Sequence, residues 1–424
     1  MKTKSVAYLL VADAVMTLSN INIIGIGITN LLIYAGPLTQ LAYMTTKSPL
    51  QARWAVFTIF LVHGLMLGAW VPHVPLAKDR LNVGPGILGL ALLAFAAGAV
   101  LAMPLTGALI NRFGSARLTL VTGILFAITF YGPTTAPTLL TFIIAALAMG
   151  ASIGSMDVSM NSHGIAVEKS IKRPIMSGLH GAFSIGAMIG AFAGAALLQR
   201  FGAFSQVVTI TSIFLVIHLI SAQFLLPTEL DKGLSGSHFA MPTPATIGLG
   251  LLCFLALMIE GSVMDWAAIM MRDKFLIDIG LAALAFGFYQ GGMAITRLSG
   301  DWGRQKFGAV NLVTYSAVLA AVGTGLALIS TSPWLTFVAF FFGGLGIGNV
   351  APVLFAGGAR LEPDAPGRGI AAVTTLGYAG FLCGPPLIGF AAQLSTLPIA
   401  LGLTIVASII IAVFARGVAP ADTY

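Results

Sequence analysis

The sequence predicts an all-α, polytopic membrane protein built from two tandem six-helix bundles, and three observations carry that prediction. The first is composition. Of 424 residues, 58% are apolar and only 8% charged, with a mean hydropathy of +0.97. Soluble domains carry about 25% charged residues, so this chain cannot cover itself with a water-facing surface. The second is the length of the uncharged runs: no Asp, Glu, Lys or Arg occurs in residues 81–111, 118–156, 174–199, 201–228, 233–259, 309–359 or 369–415. A helix crossing ~30 Å of hydrocarbon needs about 20 residues, so the longer runs hold two spans each and the total after residue 50 is roughly twelve. The third is an internal repeat.

The runs read as helices because strands of a membrane barrel would alternate polar and apolar residues, and these do not. Turns are expected at Gly132-Pro133 to Pro137 and at Ser332-Pro333, where Gly and Pro punctuate the long runs. The repeat has a fixed offset of 194 residues. Gly150, Ile153, Gly154, Gly164 and Glu168 recur as Gly344, Ile347, Gly348, Gly358 and Glu362. Phe113-Gly114 recurs as Phe307-Gly308, and Arg112 as Lys306. Parallel repeats related by an axis along the membrane normal are one arrangement of transporter halves. The expected organisation is a bundle over 51–227, a cytoplasmic linker over 228–244 containing Glu229, Asp231 and Lys232, and a second bundle with a short tail over 245–424. Residues 1–50 stand apart as an extension. Positions 14–46 are uncharged, but a thirteenth span there would carry Lys2 and Lys4 to the outer side. The expected functional start is therefore Met44, with residues 1–43 as a non-native start; an extra, uncleaved signal-anchor helix is the alternative.

A net charge of +7 is explained by topology and implies no nucleic-acid partner, because basic residues collect in the cytoplasmic loops of inner-membrane proteins. With twelve spans and both core termini inside, inner loops hold thirteen Lys and Arg residues, among them Arg112, Arg117, Lys169, Arg304 and Arg360. Outer loops hold five: Lys78, Arg80, Arg200, Arg272 and Lys274. Both cysteines, Cys253 and Cys383, fall inside expected helices, which argues against a disulfide framework. No His-Glu-x-x-His and no Gly-rich phosphate loop with Lys is present, so neither a zinc protease nor a nucleotide motor is indicated. Gly233-Leu-Ser-Gly236 matches an intramembrane serine-protease motif in form but lies in the polar linker. Rings of like charge or a repeated filter, as in channels, are not found, and no cofactor is called for.

The segment Gly107-Ala-Leu-Ile-Asn111-Arg112-Phe-Gly114, followed by Ser115 and Arg117, resembles the signature loop of the major facilitator superfamily, G-x-x-x-D-R-x-G-R-R. Its second-half counterpart is Gly300-Asp301-Trp-Gly-Arg304-Gln-Lys-Phe-Gly308. The resemblance implies a basic clamp latching the halves on the cytoplasmic side, with Arg297 one turn before it. Asn111 stands where the family has Asp, which leaves Asp301 to compensate. The fourth span, Gly154-Ser-Met-Asp157-Val-Ser-Met-Asn161, looks like the fucose-permease-like branch. So do Ser177-Gly-Leu-His180 with Gly186, and Glu260 with Trp266. That branch implies a sugar-like solute and proton symport by a functional monomer. Its first-span acid is missing: residues 54–75 hold His63 and His73 but no Asp or Glu.

Read from the residues themselves, Asp157 is the leading candidate. A charge near the bilayer centre costs roughly 2.5–3.5 kcal/mol on the lenient scale and normally faces a cavity or partner. Asn161, four residues on, shares its helix face and offers an amide to a polyol. Glu260 is a second cavity acid; Asp265 diverges from it by roughly 140° around the helix and belongs with Arg272 near the outer mouth. His63 titrates in the useful range and is the substitute for the missing acid, although a lone His in an apolar helix is more often structural. Trp266 could stack on a sugar ring, and Gln290, Asn349 and Tyr378 add polar groups from later spans. The expected function is secondary transport of a small polar solute, with proton-driven efflux of sugars or amphiphilic drugs as the rival reading. The expected location is a bacterial inner membrane.

Overall fold

A computed structural model describes residues 48–227 and 240–422; the Met44 start and most of the 228–244 linker lie outside the described residues. The first span is α1 (Pro49–Trp70) continued by α2 (His73–Leu81). Ser48 and Gln51 close a capping box at its start, with Pro49 at the first helical position, where the missing N–H costs nothing. Then come α3 (Pro85–Phe113), α4 (Ser115–Thr129), the short α5 (Tyr131–Thr135), α6 (Leu139–Ile171) and α7 (Met176–Ala222). The second half runs through α8 (Ile247–Phe275), α9 (Ile279–Phe307), α10 (Ala309–Ile329), α11 (Pro333–Ile347), α12 (Val350–Leu361), α13 (Pro366–Leu394) and α14 (Leu397–Val413). A 3-10 segment, Ala415–Asp422, closes the chain described.

Ten stretches among the described residues are long and apolar enough to cross a membrane, or eleven when Leu397–Val413 is joined to its bent 3-10 continuation. One of the ten, the 47-residue α7, is two helices joined at Gly202, whose φ of 78° and ψ of 170° are not helical. Splitting it gives twelve crossings, the number that the run lengths require. The expected turn over Gly132-Pro133 to Pro137 forms only at its later residues: Gly132 and Pro133 lie inside α5, since proline is tolerated in a helix's first turn. The chain turns at Ala136 to Thr138, where Thr138 and Thr141 cap α6.

The sequence repeat is a packing repeat. A Cβ on Gly98 would lie 2.0 Å from the Leu147 carbonyl oxygen, and one on Gly292 2.1 Å from that of Phe341. Each of those residue pairs is separated by the same 194 positions. Gly150 meets the Phe95 oxygen at 1.8 Å and Gly344 the Tyr289 oxygen at 1.9 Å in the same sense. Only glycine lets the backbones of α3 and α6, and of α9 and α11, approach so closely. The helix ends repeat too. Arg80 donates to the carbonyls of Pro133 (2.7 Å), Thr134 (2.7 Å) and Ala136 (2.8 Å). Lys274, its equivalent, donates to Leu328 at 2.7 Å and Ala327 at 3.5 Å. Each cation thus satisfies carbonyls that a helix end leaves open.

The signature segments are helix ends, not loops. Gly107, Asn111 and Arg112 all belong to α3, because the apolar run continues unbroken to Phe113. The turn is Gly114 alone, at φ 83° and ψ 155°, and its counterpart Gly308 sits at φ 74° and ψ 160°. That region of backbone space is open essentially to glycine only. Arg112 stands 5.2 Å above the Phe113 ring, and Arg117 is half-buried. Arg304 does not latch the halves: it donates to the Ala421 carbonyl and lies 3.8 Å from Asp422. It thereby ties α9 to the 3-10 segment of its own half. Asp301 does reach across, accepting from the Ser177 hydroxyl at 3.5 Å.

Candidate functional site

The polar groups of the apolar spans gather where the two halves face each other. Asp157 sits midway along α6, whose glycines and small residues pack against α3 on one side and leave the carboxylate on the other. Its Oδ2 accepts from the Tyr378 hydroxyl at 2.8 Å. Its Oδ1 accepts from Asn161 Nδ2 at 3.0 Å, and the same amide donates to the Asp157 carbonyl at 2.8 Å. Tyr378 lies on α13, so the Asp157–Tyr378 bond crosses from one half to the other. All three residues are half-buried. Asn161 is thus committed to orienting the carboxylate through the i,i+4 relation, with its carbonyl oxygen left for other partners.

A second cluster lies beside the first. Arg297 on α9 donates to Glu260 of α8, at 3.2 Å to Oε2 and 3.4 Å to Oε1, and to the Ser184 hydroxyl of α7 at 2.7 Å. The side chains of Arg297 and Glu260 are 10% and 13% exposed, so the pair is nearly dry and each charge needs the other. Arg297, one turn before the second-half signature segment and grouped with it, thus faces Glu260 and Ser184 instead. It is a helical residue drawn inward, because a guanidinium in an apolar span gains more from a facing carboxylate than from snorkelling. Tyr378 lies within electrostatic reach of both Asp157 and Glu260, and His180 of Arg297. Two acids, one base and a phenol from four helices thus line one region.

The other candidates are elsewhere. His63 is 2% exposed, its ring 5.3 Å from Phe126 and 5.7 Å from Phe183, inside the core of the first half; it does not replace the missing acid beside Asp157. Trp266 is fully buried and pressed against Gly389, where a Cβ would come within 3.1 Å of its ring; no ring face is open for stacking. Gln290 is buried within its half, and its amide oxygen has no partner among the described residues. Asn349 fills the gap left by Gly300, where a Cβ would lie 2.6 Å from its Oδ1. Asp265, expected at the outer mouth, is 5% exposed. Ser184 and the pairing of Glu260 with Arg297 were not read from the sequence. The available signal was that Glu260 and Arg297 are isolated charges in neighbouring apolar spans.

The geometry has counterparts among known proteins. Residues 55–247 match the Major Facilitator Superfamily model. An uncharacterised MFS-type transporter of Yersinia pestis is 33% identical over 359 residues, covering 85% of this chain and 94% of its own. Membrane protein MosC of Rhizobium meliloti is 31% identical over 362 residues, covering 84% and 88%. Two solved structures share the fold. The nucleoside transporter NupG gives a TM-score of 0.67 at 13% identity, covering 87% of this chain and 98% of its own. The E. coli fucose:proton symporter FucP gives 0.60 at 14%, covering 86% and 97%. Twelve crossings in two glycine-packed halves, with polar side chains gathered between them, and a relative one-third identical over nearly its whole length place this chain in the major facilitator superfamily of transporters.

Proposed function

We propose that the protein moves a small polar, sugar-like solute by alternating access in symport with protons, as a monomer of the fucose-permease-like branch, and that Asp157 is the proton-binding group. The observation that supports this most is the bond from Tyr378 to Asp157 across the two halves. An ionised carboxylate only accepts hydrogen bonds, whereas a protonated one also donates. Taking up a proton removes a charge from an apolar span and weakens the bonds that Asp157 accepts from Tyr378 and Asn161, which links protonation to the relation between the halves. The half-buried amide and phenol beside it suit a hydroxyl-rich ligand. The fold neighbours, a fucose:proton symporter and a nucleoside transporter, are consistent with such cargo.

The charge asymmetry supports an inner membrane with the Arg112 end cytoplasmic and the Lys78 end outside. The test is substrate-evoked proton movement in proteoliposomes, with hexoses, deoxyhexoses, polyols and amphiphilic drugs, comparing the natural chain with Asp157→Asn. A proton signal with one sugar that disappears in the variant is the expected result. Radiolabelled flux with no proton signal, unchanged by Asp157→Asn, would overturn the coupling and make Asp157 structural.

A further inference from the structure

At the Lys78 end the halves meet through charges that the repeat relates to one another. Lys78-Asp79-Arg80 and Arg272-Asp273-Lys274 are separated by 194 positions, residue for residue. Lys78 of α2 lies 3.5 Å from Asp273 of α8. Exchanging each residue for its equivalent turns that pair into Arg272 and Asp79, which lie 2.6 Å apart. The two contacts are thus one contact applied twice about a pseudo-two-fold axis. Arg272 also holds Asp273 at 3.0 Å within its own helix.

The same relation extends around the rim. Gln199 donates to Asp278 at 2.5 Å, and its aliphatic stem fills the space over Gly280, where a Cβ would lie 2.8 Å from Cγ. Its equivalent, Gln393, accepts from the Gly86 N–H at 3.1 Å and fills the space over Gly86; Gly86 is the equivalent of Gly280. Beneath the rim, a separate apolar cluster joins Val71 and Ala191 of the first half to Ala268, Ala283 and Phe286 of the second. All five are 0–1% exposed, so the path from this end to the polar centre is closed by packing and rimmed by ions.

We propose that Lys78, Asp79, Arg272 and Asp273 form a pseudo-two-fold electrostatic latch that holds this end of the transport path closed and releases both pairs together. The proposal rests on the alternating-access reading and adds the residues that bias it. Symmetry supplies the cooperativity: a rocking of the halves that preserves the pseudo-two-fold relation lengthens both contacts equally, so neither acts as a hinge for the other. The energetics fit a latch that must open in every cycle. Asp79 and Asp273 are 54% and 48% exposed, and exposed pairs of this kind shift an equilibrium only about two- to five-fold each. When the halves part, Arg272 keeps Asp273 while Lys78 and Asp79 pass to water, so no charge is stranded in a dry environment.

The test uses a reporter below the latch: Ala283→Cys in a Cys253→Ser/Cys383→Ser background, alkylated by a membrane-impermeant maleimide in sealed vesicles of both orientations. Inverting one side only (Lys78→Asp with Asp79→Lys) sets like charges against each other and should speed labelling about tenfold or more, as two attractions become repulsions. Inverting the other side as well (adding Arg272→Asp and Asp273→Lys) restores every pair and should bring the rate within about twofold of the parent, which also excludes misfolding as the cause. In the parent, raising salt to 1 M, where screening acts within about 3 Å, should speed labelling several-fold. Equal labelling of the parent and the half-inverted chain, or no recovery on full inversion, overturns the latch. Solute flux scored separately in the same vesicles keeps the two readings apart. The expected labelling pattern without flux of any sugar or polyol in any variant would overturn the sugar-like solute of the proposed function and leave the latch standing.

Discussion

Tyr378 donates to Asp157 across the two halves at 2.8 Å, and its repeat equivalent, Ser184, also bonds across them, accepting from Arg297 at 2.7 Å. The two contacts occupy matching positions but are chemically unlike. The equivalents of Asp157, Asn161, Glu260 and Arg297 are Ala351, Phe355, Met66 and Met103. The polar centre therefore exists only where the repeat fails.

Replacing Tyr378 with Phe removes one bond to a carboxylate, a change of about 1.5–3 kcal/mol, and leaves the ring's packing. Proton-driven uptake in proteoliposomes should fall at least about tenfold, with retained solute binding by isothermal calorimetry. Unchanged uptake would show that the cross-half bond is incidental to turnover.

Arg297→Met leaves Glu260 as an unpaired charge at 13% exposure, and breaking a buried pair on one side costs about 3–5 kcal/mol. The melting temperature in detergent should drop by several degrees for that variant. Adding Glu260→Gln should recover most of the loss, since the stranded charge is then gone. If the double variant melts as low as the single one, the loss comes from packing around the guanidinium stem.

Leu276 ends α8 in the left-handed region at φ 53° and is 90% exposed. Its equivalent is Asn82, at φ 52°. Left-handed backbone costs an ordinary L-residue roughly 1–2 kcal/mol, a cost that Asn reduces. Leu276→Asn should raise stability by about 0.5–1 kcal/mol, read as a higher unfolding midpoint with transport unchanged.

Gly292→Ala would set a methyl 2.1 Å from the Phe341 carbonyl, and overpacking of this kind costs about 1–3 kcal/mol. The same change at Gly178 meets nothing within 4 Å and should be neutral. The two variants compared for expression and melting separate crowding from helix propensity.

The architecture was legible in the sequence because membrane spans advertise themselves by length: seven uncharged runs gave the crossings, and Gly150 with Gly344 gave the repeat. Asp157 was legible for the same reason, as an acid in an apolar run is costly and conspicuous. What was not legible is pairing. Nothing in sequence spacing brings Arg297 to Glu260 or Tyr378 to Asp157, since those contacts depend on how separate helices are set against each other. His63 and Trp266 were plausible by residue type, yet their positions bury them among Phe126, Phe183 and Gly389. The charge triplets at residues 78–80 and 272–274 were visible as topology charges, and only their distances reveal that they answer one another.

The matched rim has a consequence for how such a chain arises. A face bearing Lys78 and Asp79 is complementary to a second copy of that face, because each contact at the rim is made between equivalent positions. Duplicating an ancestral six-helix unit would therefore deliver a working seal at once, with no compensating substitution. The centre has no such match: the equivalents of Asp157 and Tyr378 are Ala351 and Ser184, so duplication alone would not supply the bond between the halves.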